Sequence, residues 1–541
     1  MNKLLDRFGL WIVVVFSTYW VGGFYDRGIG VVDEGFIAAL SLRVLQGEVP
    51  YQDFFTLLMP GAFLLHAGLY GLFGPSLWIG RCVLLLIGIA IPVLVYLIGR
   101  HRLAVLPSLV AALLSLLWGP TAWEYLNHAN YNWLAHVWGL LALWTCCRWI
   151  AQDSVEHSAS KKKKSVQQHW LGVGLALGLS ILFKQTIGAY AFFAISIFLL
   201  AYTRGSTRLQ ASLCLGLGMC LIHLPVLIWL WLEGALPSML EHILIIPLTE
   251  FAKTAAVPYP ALWPLWPQFP SVDHQAGTQF LALIPLSYPL VAAWCLVERW
   301  RERCAAADTT KATHQRTFEA LILMYSAFMF LGNFPRADFG HLLYNMSMGY
   351  VVFVLLIERL YKAAIHGLGH GWALLGLLCL VLLLARPAVE YPTRLTLWTL
   401  GVRTTPVDNA RAGVKASAHE AKTLAEVLAH VAQIKARGEE IFVLPNAPML
   451  FFLGDMRNPT RYDVLMQGNY APGTMQEVMN LLNERQIPWV VLHHQPVDDQ
   501  TLQDYAPEFV AFLKAHYQST SRTGDYEFFS RQPRLASPPP P

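Results

Sequence analysis

Charge is what this 541-residue sequence has little of: Asp, Glu, Lys and Arg together make up 14% of it, against 55% hydrophobic residues. Soluble domains carry roughly 25% charged residues, so these charges cannot clothe a water-facing surface of this size. Cysteine is sparse as well. The eight cysteines are Cys82, Cys146, Cys147, Cys214, Cys220, Cys295, Cys304 and Cys379, with no C-x-x-C pair and none in the last 160 or so residues. That distribution argues against a disulfide framework or a zinc site. An internal repeat is also missing. A secondary transporter, the chief alternative from another functional class, would place ionisable groups or broken helices in paired positions of two repeats near the bilayer midplane.

What the sequence has is apolar length. Mean hydropathy is +0.43, and the 19 Trp suit a protein with two membrane interfaces, where indole rings lie. A window of about 19 residues picks out Leu10–Phe24, Cys82–Ile98, Leu103–Trp118, Trp133–Trp149, Leu171–Phe183 and Ile187–Tyr202 as spans. Leu213–Leu232, Phe280–Val297, Phe318–Gly332, Leu343–Ile357 and Ala373–Ala385 follow, giving roughly eleven. The first of these could instead be a signal peptide, but no obvious A-x-A site follows it. Pro60–Phe73 is short and Gly-rich and reads as a re-entrant or interfacial helix.

Basic residues set the orientation. Alternate loops contain Arg100 and Arg102, then Lys161–Lys164, then Arg204 and Arg208. Later ones contain Arg299, Arg301, Arg303, Lys311 and Arg316, then Arg359 and Lys362. These loops are expected in the cytoplasm with the N-terminus, and the Lys run is a topology signal rather than a nucleic-acid site. The other loops are long, rich in Pro, Trp and acids, and expected outside. We therefore expect a multi-pass protein of a cell inner membrane with its C-terminal domain extracytoplasmic.

After Arg386 the pattern becomes that of a soluble domain. Lys415–Arg437 and Thr474–Arg485 read as helices, and Glu440–Pro445, Trp489–His493 and Tyr526–Ser530 as strands. The expected fold class is an α-helical polytopic membrane protein with a small C-terminal α/β soluble domain. The expected division is a membrane domain over 1–390, an extracytoplasmic α/β domain over 391–535 and a Pro-rich tail over 536–541. His493 and His494 are adjacent on a strand, point to opposite faces and make a poor metal pair.

Four polar clusters fall on the side expected outside. Val31-Val32-Asp33-Glu34-Gly35 lies just beyond the first span, followed by a helical stretch Phe36–Leu45 and by Tyr51-Gln52-Asp53-Phe54-Phe55. Adjacent carboxylates repel unless a cation, a substrate hydroxyl or a helix N-terminus engages them; capping of the following helix is the plain alternative. Phe334-Pro335-Arg336-Ala337-Asp338-Phe339-Gly340-His341 packs Arg, Asp and His into one turn. It suits an anionic group, since Arg offers a planar fork of donors to phosphate, or it is a salt-bridged turn. Lys184 stands alone between two apolar stretches, functional or snorkelling. Glu124–Asn132, with Asn127, His128, Asn130 and Asn132, could line a sugar site or simply connect two spans.

At these residues the sequence resembles the polytopic GT-C glycosyltransferases, particularly bacterial relatives of protein O-mannosyltransferases and of the aminoarabinose transferase acting on lipid A (family 39-like). The likeness rests on Asp33-Glu34-Gly35, on Pro60-Gly61 leading to Leu72-Phe73-Gly74 and Arg81, and on the Gly-rich span Gly174–Lys184. It runs to about residue 390. It implies an enzyme that takes a sugar from a polyprenyl-phosphate donor and inverts the anomeric centre, acting on a lipid or glycan acceptor. Asp33 would be the general base and Glu34 would position acceptor or base. Arg336 and Lys184 would hold the leaving phosphate, with Asp338 and His341 orienting them, while Asp53, Asn127, His128 and Asn130 would line the acceptor or sugar. The second external loop offers Asn and His where the family often has an acid, so no metal ligand is assigned and a divalent cofactor stays open. A lipid-linked glycan ligase or polymerase is the alternative within the enzyme class. Membrane lipids are expected partners and nucleic acid is not.

Overall fold

The computed structural model describes residues 2–122, 127–153, 159–262, 274–305, 310–496 and 500–532. Its first part is a bundle of α1 (Asn2–Gly22), α4 (Leu77–Gly99), α5 (Val105–Leu117), α6 (Tyr131–Asp153), α7 (Ala159–Phe183), α8 (Gln185–Tyr202) and α9 (Gly205–Leu232). Two shorter helices, α2 (Asp33–Leu45) and α3 (Gly61–Phe73), lie between α1 and α4. α3 has 13 residues and is about 20 Å long at 1.5 Å per residue, against a hydrocarbon core of about 30 Å. It is a short apolar helix, of the length expected for Pro60–Phe73.

Six helices among the described residues are long and apolar enough to cross a membrane, or up to eight if each of two bent pairs is one span. α1 and α5, expected as spans, contribute only the shorter apolar helices Arg7–Gly22 and Val105–Leu117. The stretch expected as a span over Leu343–Ile357 falls in a bent pair, Phe339–Asn345 and Gly349–Leu368, meeting at 71°. His370–Leu384 likewise meets Ala388–Val402 at 52°, so helix continues past the expected boundary at 390.

Glycine lets the bundle close. A Cβ on Gly174 would lie 2.2 Å from the Leu215 carbonyl oxygen, and one on Gly218 would lie 2.6 Å from that of Leu171. α7 and α9 therefore pack backbone to backbone, as small residues permit in membranes. At the opposite end from Asp33's loop, charges from loops expected to be cytoplasmic converge on one buried acid. Arg359 bridges Glu319 at 2.9 Å and Glu298 at 3.0 Å, and Arg102 also pairs with Glu319.

The C-terminal part is a small α/β unit. A two-stranded ribbon, β1 (Thr405–Pro406) with β2 (Lys415–Ala416), precedes a four-stranded sheet of β3 (Ile441–Leu444), β4 (Trp489–His493), β5 (Tyr517–Thr523) and β6 (Tyr526–Arg531). Sheet order is β3-β4-β6-β5, with β3 and β4 parallel and the other pairs antiparallel. The expected helix from Lys415 begins later, at Ala418, because Ser417 and Glu420 form a capping box. β5 was not expected: its polar sequence gives no apolar alternation, and only its pairing with β6 makes it a strand. His493 and His494 do part company, to Asn446 at 2.7 Å and to Glu527 at 2.7 Å.

Candidate active site

The loop before α2 is built around one buried cation. Arg81, 1% exposed, donates Nε to Glu34 Oε1 at 2.6 Å and Nη2 to Glu34 Oε2 at 2.7 Å. Its remaining N–H groups reach the carbonyls of Gly28 at 2.8 Å, Arg27 at 3.1 Å, Tyr25 at 3.2 Å and Asn127. Asn127 closes the same loop from its other side, donating to the Phe24 and Arg27 carbonyls, each at 2.8 Å. Gly30 N–H also donates to Glu34 Oε2 at 3.1 Å. Glu34 is thus a structural anion. The capping alternative fails as well, since the residue preceding α2 is Val32, without a side-chain cap. Asp33, the first residue of α2, is left aimed elsewhere.

It faces cations. Asp33 lies within electrostatic reach of His341, Asp338, Arg336 and Lys184, which come from two other parts of the chain. Burial raises its pKa, and the Asp338 charge adds to this, against the pull of His341, Arg336 and Lys184. Lys184 sits at the break between α7 and α8, extended and outside both helices. A Cβ on Gly61 would lie 2.5 Å from the Leu182 carbonyl oxygen, and Gln185 Nε2 donates to the Leu57 carbonyl at 2.7 Å. The segment 57–61 therefore meets the chain on both sides of Lys184. Burial pushes the Lys184 amine down to about 8, partly offset by Asp33. Its Nζ stands 4.9 Å from the centre of the Tyr131 ring, a favourable place for a cation.

Asp338 holds the other half together. Its Oδ1 accepts from the His341 backbone N–H at 2.9 Å and meets His341 Nδ1 at 2.8 Å, while its Oδ2 pairs with Arg336 Nε. Asp338 is the N-cap of the helix Phe339–Asn345, so capping and site building are one arrangement. Burial would raise its carboxyl, yet the hydrogen bonds and charge of His341, with the charge of Arg336, hold it well below the usual range. Asn130 donates to the Tyr344 hydroxyl at 2.9 Å, and its Oδ1 accepts from Asn132 N at 2.6 Å. Tyr344 in turn packs on Trp133 at 4.8 Å.

Of the expected residues, Asp33, Lys184, Arg336, Asp338 and His341 come together. Asn130 reaches their edge through Tyr344, whereas Asn127 is engaged in the loop. His128 is buried with Glu34 and His66 around a cavity of about 10 Å³, room for roughly one water. Asp53 is elsewhere: its Oδ2 accepts from Val49 N at 2.6 Å in its own exposed turn. Glu124 lies outside the described residues. Among the described residues no group of three or more His, Cys, Asp or Glu is placed to hold a metal ion. Sequence reasoning gave no role to Arg81 or Tyr344, and Tyr131 entered only as part of the Glu124–Asn132 stretch. Arg81 carried a signal, since an arginine among apolar residues must find partners; Tyr344 carried none.

Comparisons with known proteins bear on the fold that carries this site. Residues 59–229 match the dolichyl-phosphate-mannose-protein mannosyltransferase family. No curated protein matches the chain by sequence. Among solved structures, ArnT from Cupriavidus metallidurans bound to undecaprenyl phosphate is similar over 98% of this chain and 99% of its own, at 14% identity and a TM-score of 0.57. AglB, the archaeal oligosaccharyltransferase from Archaeoglobus fulgidus, in complex with an inhibitory peptide and a dolichol-phosphate, is similar over 99% of this chain and 75% of its own, at 12% identity and a TM-score of 0.59. The mycobacterial arabinofuranosyltransferase AftD aligns over 97% of this chain and 40% of its own, at 12% identity and a TM-score of 0.51. The chain shares the fold of these solved structures, and its six to eight candidate spans fit a multi-pass membrane protein.

Proposed function

We propose that the chain is a membrane glycosyltransferase that moves a sugar from a polyprenyl phosphate to a hydroxyl or amine of a lipid or glycan acceptor. The observation that carries this is the meeting of Asp33 with Lys184, Arg336 and His341 at one place. A base beside phosphate-binding cations is what a single displacement at an anomeric carbon needs. The likeness in fold to proteins solved with undecaprenyl phosphate and dolichol-phosphate supports the same donor class.

In this reading Asp33 takes the acceptor's proton as its oxygen or nitrogen attacks the anomeric carbon. The bond to phosphate breaks on the far side, and the configuration inverts. Lys184 and Arg336 receive the charge gathering on the departing phosphate. His341 and Asp338 fix Arg336 in place. Glu34 serves the loop through Arg81 rather than the acceptor directly. The site faces the extracytoplasmic side of an inner membrane, with the N-terminus inside and residues 391–535 forming an external domain.

The test uses purified protein in nanodiscs with a panel of polyprenyl-phosphate sugars and candidate lipid and glycan acceptors, following release of polyprenyl phosphate. Asp33→Asn and Arg336→Ala should each lose at least a hundredfold in turnover while remaining folded. Wild-type turnover in Asp33→Asn would sink the proposal.

A further inference from the structure

The C-terminal part of the chain grips the short helix that begins at Asp33. α2 is a lever about 20 Å long, so any tilt about its far end displaces the carboxylate at its start. That far end is held by Arg43, a buried residue. Its Nε donates to Glu48 Oε2 at 2.6 Å, and Nη1 donates to Asp463 Oδ2 at 2.7 Å and to the Thr460 carbonyl at 3.1 Å. Nη2 donates to the Asp53 carbonyl at 2.8 Å, and the guanidinium stands 5.3 Å from the Phe54 ring centre. Asp463 is fixed in turn by Asn458 Nδ2 at 3.0 Å, and Glu48 by Arg457 at 2.9 Å.

The near end is held too. The helix Met449–Gly454 lies against the first turn of α2, where a Cβ on Gly35 would sit 2.5 Å from the Met449 nitrogen. Two residues after Asp33, glycine is what lets the two backbones touch. The approach to Asp33 is tied down by Lys415: its N–H donates to the Asp26 carbonyl at 2.8 Å, and its carbonyl accepts from Gly28 N–H at 2.7 Å. Its Nζ also pairs with Asp26 at 2.7 Å, and Arg27 Nη1 donates to the Arg403 carbonyl at 2.6 Å.

Contacts therefore fall before Asp33, just after it and at the far end of its helix. Burying a guanidinium with two carboxylates is a weak source of net stability, because desolvation offsets most of the attraction. Its consequence is directional, since such a cluster tolerates one register. We infer that the C-terminal part positions Asp33 for the reaction, and that Arg43, Asp463 and Gly35 are positioning residues. The inference rests on the glycosyltransferase reading for the reaction, but not for the placement of α2.

Full-length wild type, Asp463→Asn and Gly35→Ala in nanodiscs would be compared by hydrogen–deuterium exchange and by donor turnover. Asp463→Asn should speed exchange across 33–45 at least tenfold. It should lower kcat at least tenfold while the KM for the lipid donor stays within threefold, because Lys184 and Arg336 stand on other elements. Gly35→Ala reads the same positioning from the other end should Asp463→Asn not fold. Faster exchange at 457–463 with 33–45 unchanged would overturn the inference, as would unchanged kcat in a helix that exchanges faster. If Asp33→Asn turned over like wild type, the functional reading would fail, and exchange alone would then decide whether this segment fixes α2.

Discussion

Arg81 and Glu34 form a two-pronged ion pair, Nε to Oε1 at 2.6 Å and Nη2 to Oε2 at 2.7 Å, that ties α4 to the residue beside Asp33. Both side chains are almost wholly enclosed. The two adjacent acids are thereby separated in role: Glu34 turns inward to the scaffold, and Asp33 turns to the cations. The sequence motif is one motif, but the fold divides its chemistry.

Breaking that pair should unfold the loop rather than merely slow the reaction. Arg81→Met leaves Glu34 and several carbonyls buried without their partner, at a cost of about 3–5 kcal/mol. Thermal unfolding in detergent should show a lower Tm and loss of expression in the folded form. An unaltered Tm would mean that the loop is held by other contacts.

Lys184 makes donor binding depend on pH on the alkaline side. Burial pushes its amine down to about 8, so the charge that meets a phosphate should be present below that value and be lost as pH rises through it. Affinity for polyprenyl phosphate should therefore fall between about pH 7.5 and 9. Lys184→Met should bind about tenfold or more weakly at pH 7, since a hydrogen bond to a charged group contributes about 1.5–3 kcal/mol, and should lose this pH dependence. Titration of wild type and variant with undecaprenyl phosphate, followed calorimetrically, checks both.

The contact of α7 with α9 should tolerate no added carbon at Gly218. A methyl there would meet the Leu171 carbonyl oxygen and the Leu175 nitrogen, each at 2.6 Å, and neither is a flexible side-chain end. Overpacking of this kind costs about 1–3 kcal/mol. Gly218→Ala should lower Tm, whereas Gly216→Ala, with open space around its position, should not. Equal Tm values for the two would refute the close packing.

Much of this was legible in the sequence, and the reason is that membranes simplify the physics. Apolar length and basic loops brought out the helices, and isolated charges such as Lys184 stood out because hydrocarbon makes them costly. Residues Arg336, Asp338 and His341 were visible as one turn for the same reason. What stayed hidden depends on contacts between distant segments. Glu34 looked like a partner of Asp33 until Arg81 claimed it from 47 positions away. Asp53 looked like a lining residue, but its own turn takes the carboxylate. Arg43 and Asp463 lie 420 positions apart, and neither carries a local signal that it meets the other.

The acidic limb of the reaction should answer to Asp338 and Lys184 in opposite directions. Asp33 must be ionised to accept a proton, and burial raises its pKa, so activity should fall with acid at a higher pH than an ordinary carboxylate would give. The Asp338 charge raises Asp33 further, and Lys184 lowers it. Asp338→Asn removes a like charge and should move the acidic limb of kcat/KM to lower pH. Lys184→Met removes an opposite charge and should move it to higher pH. The limb reports free-enzyme ionisation, so each shift can be read even where the variant's overall rate is low. A limb that stays put in both variants would mean that the ionisation controlling the reaction belongs to a group other than Asp33.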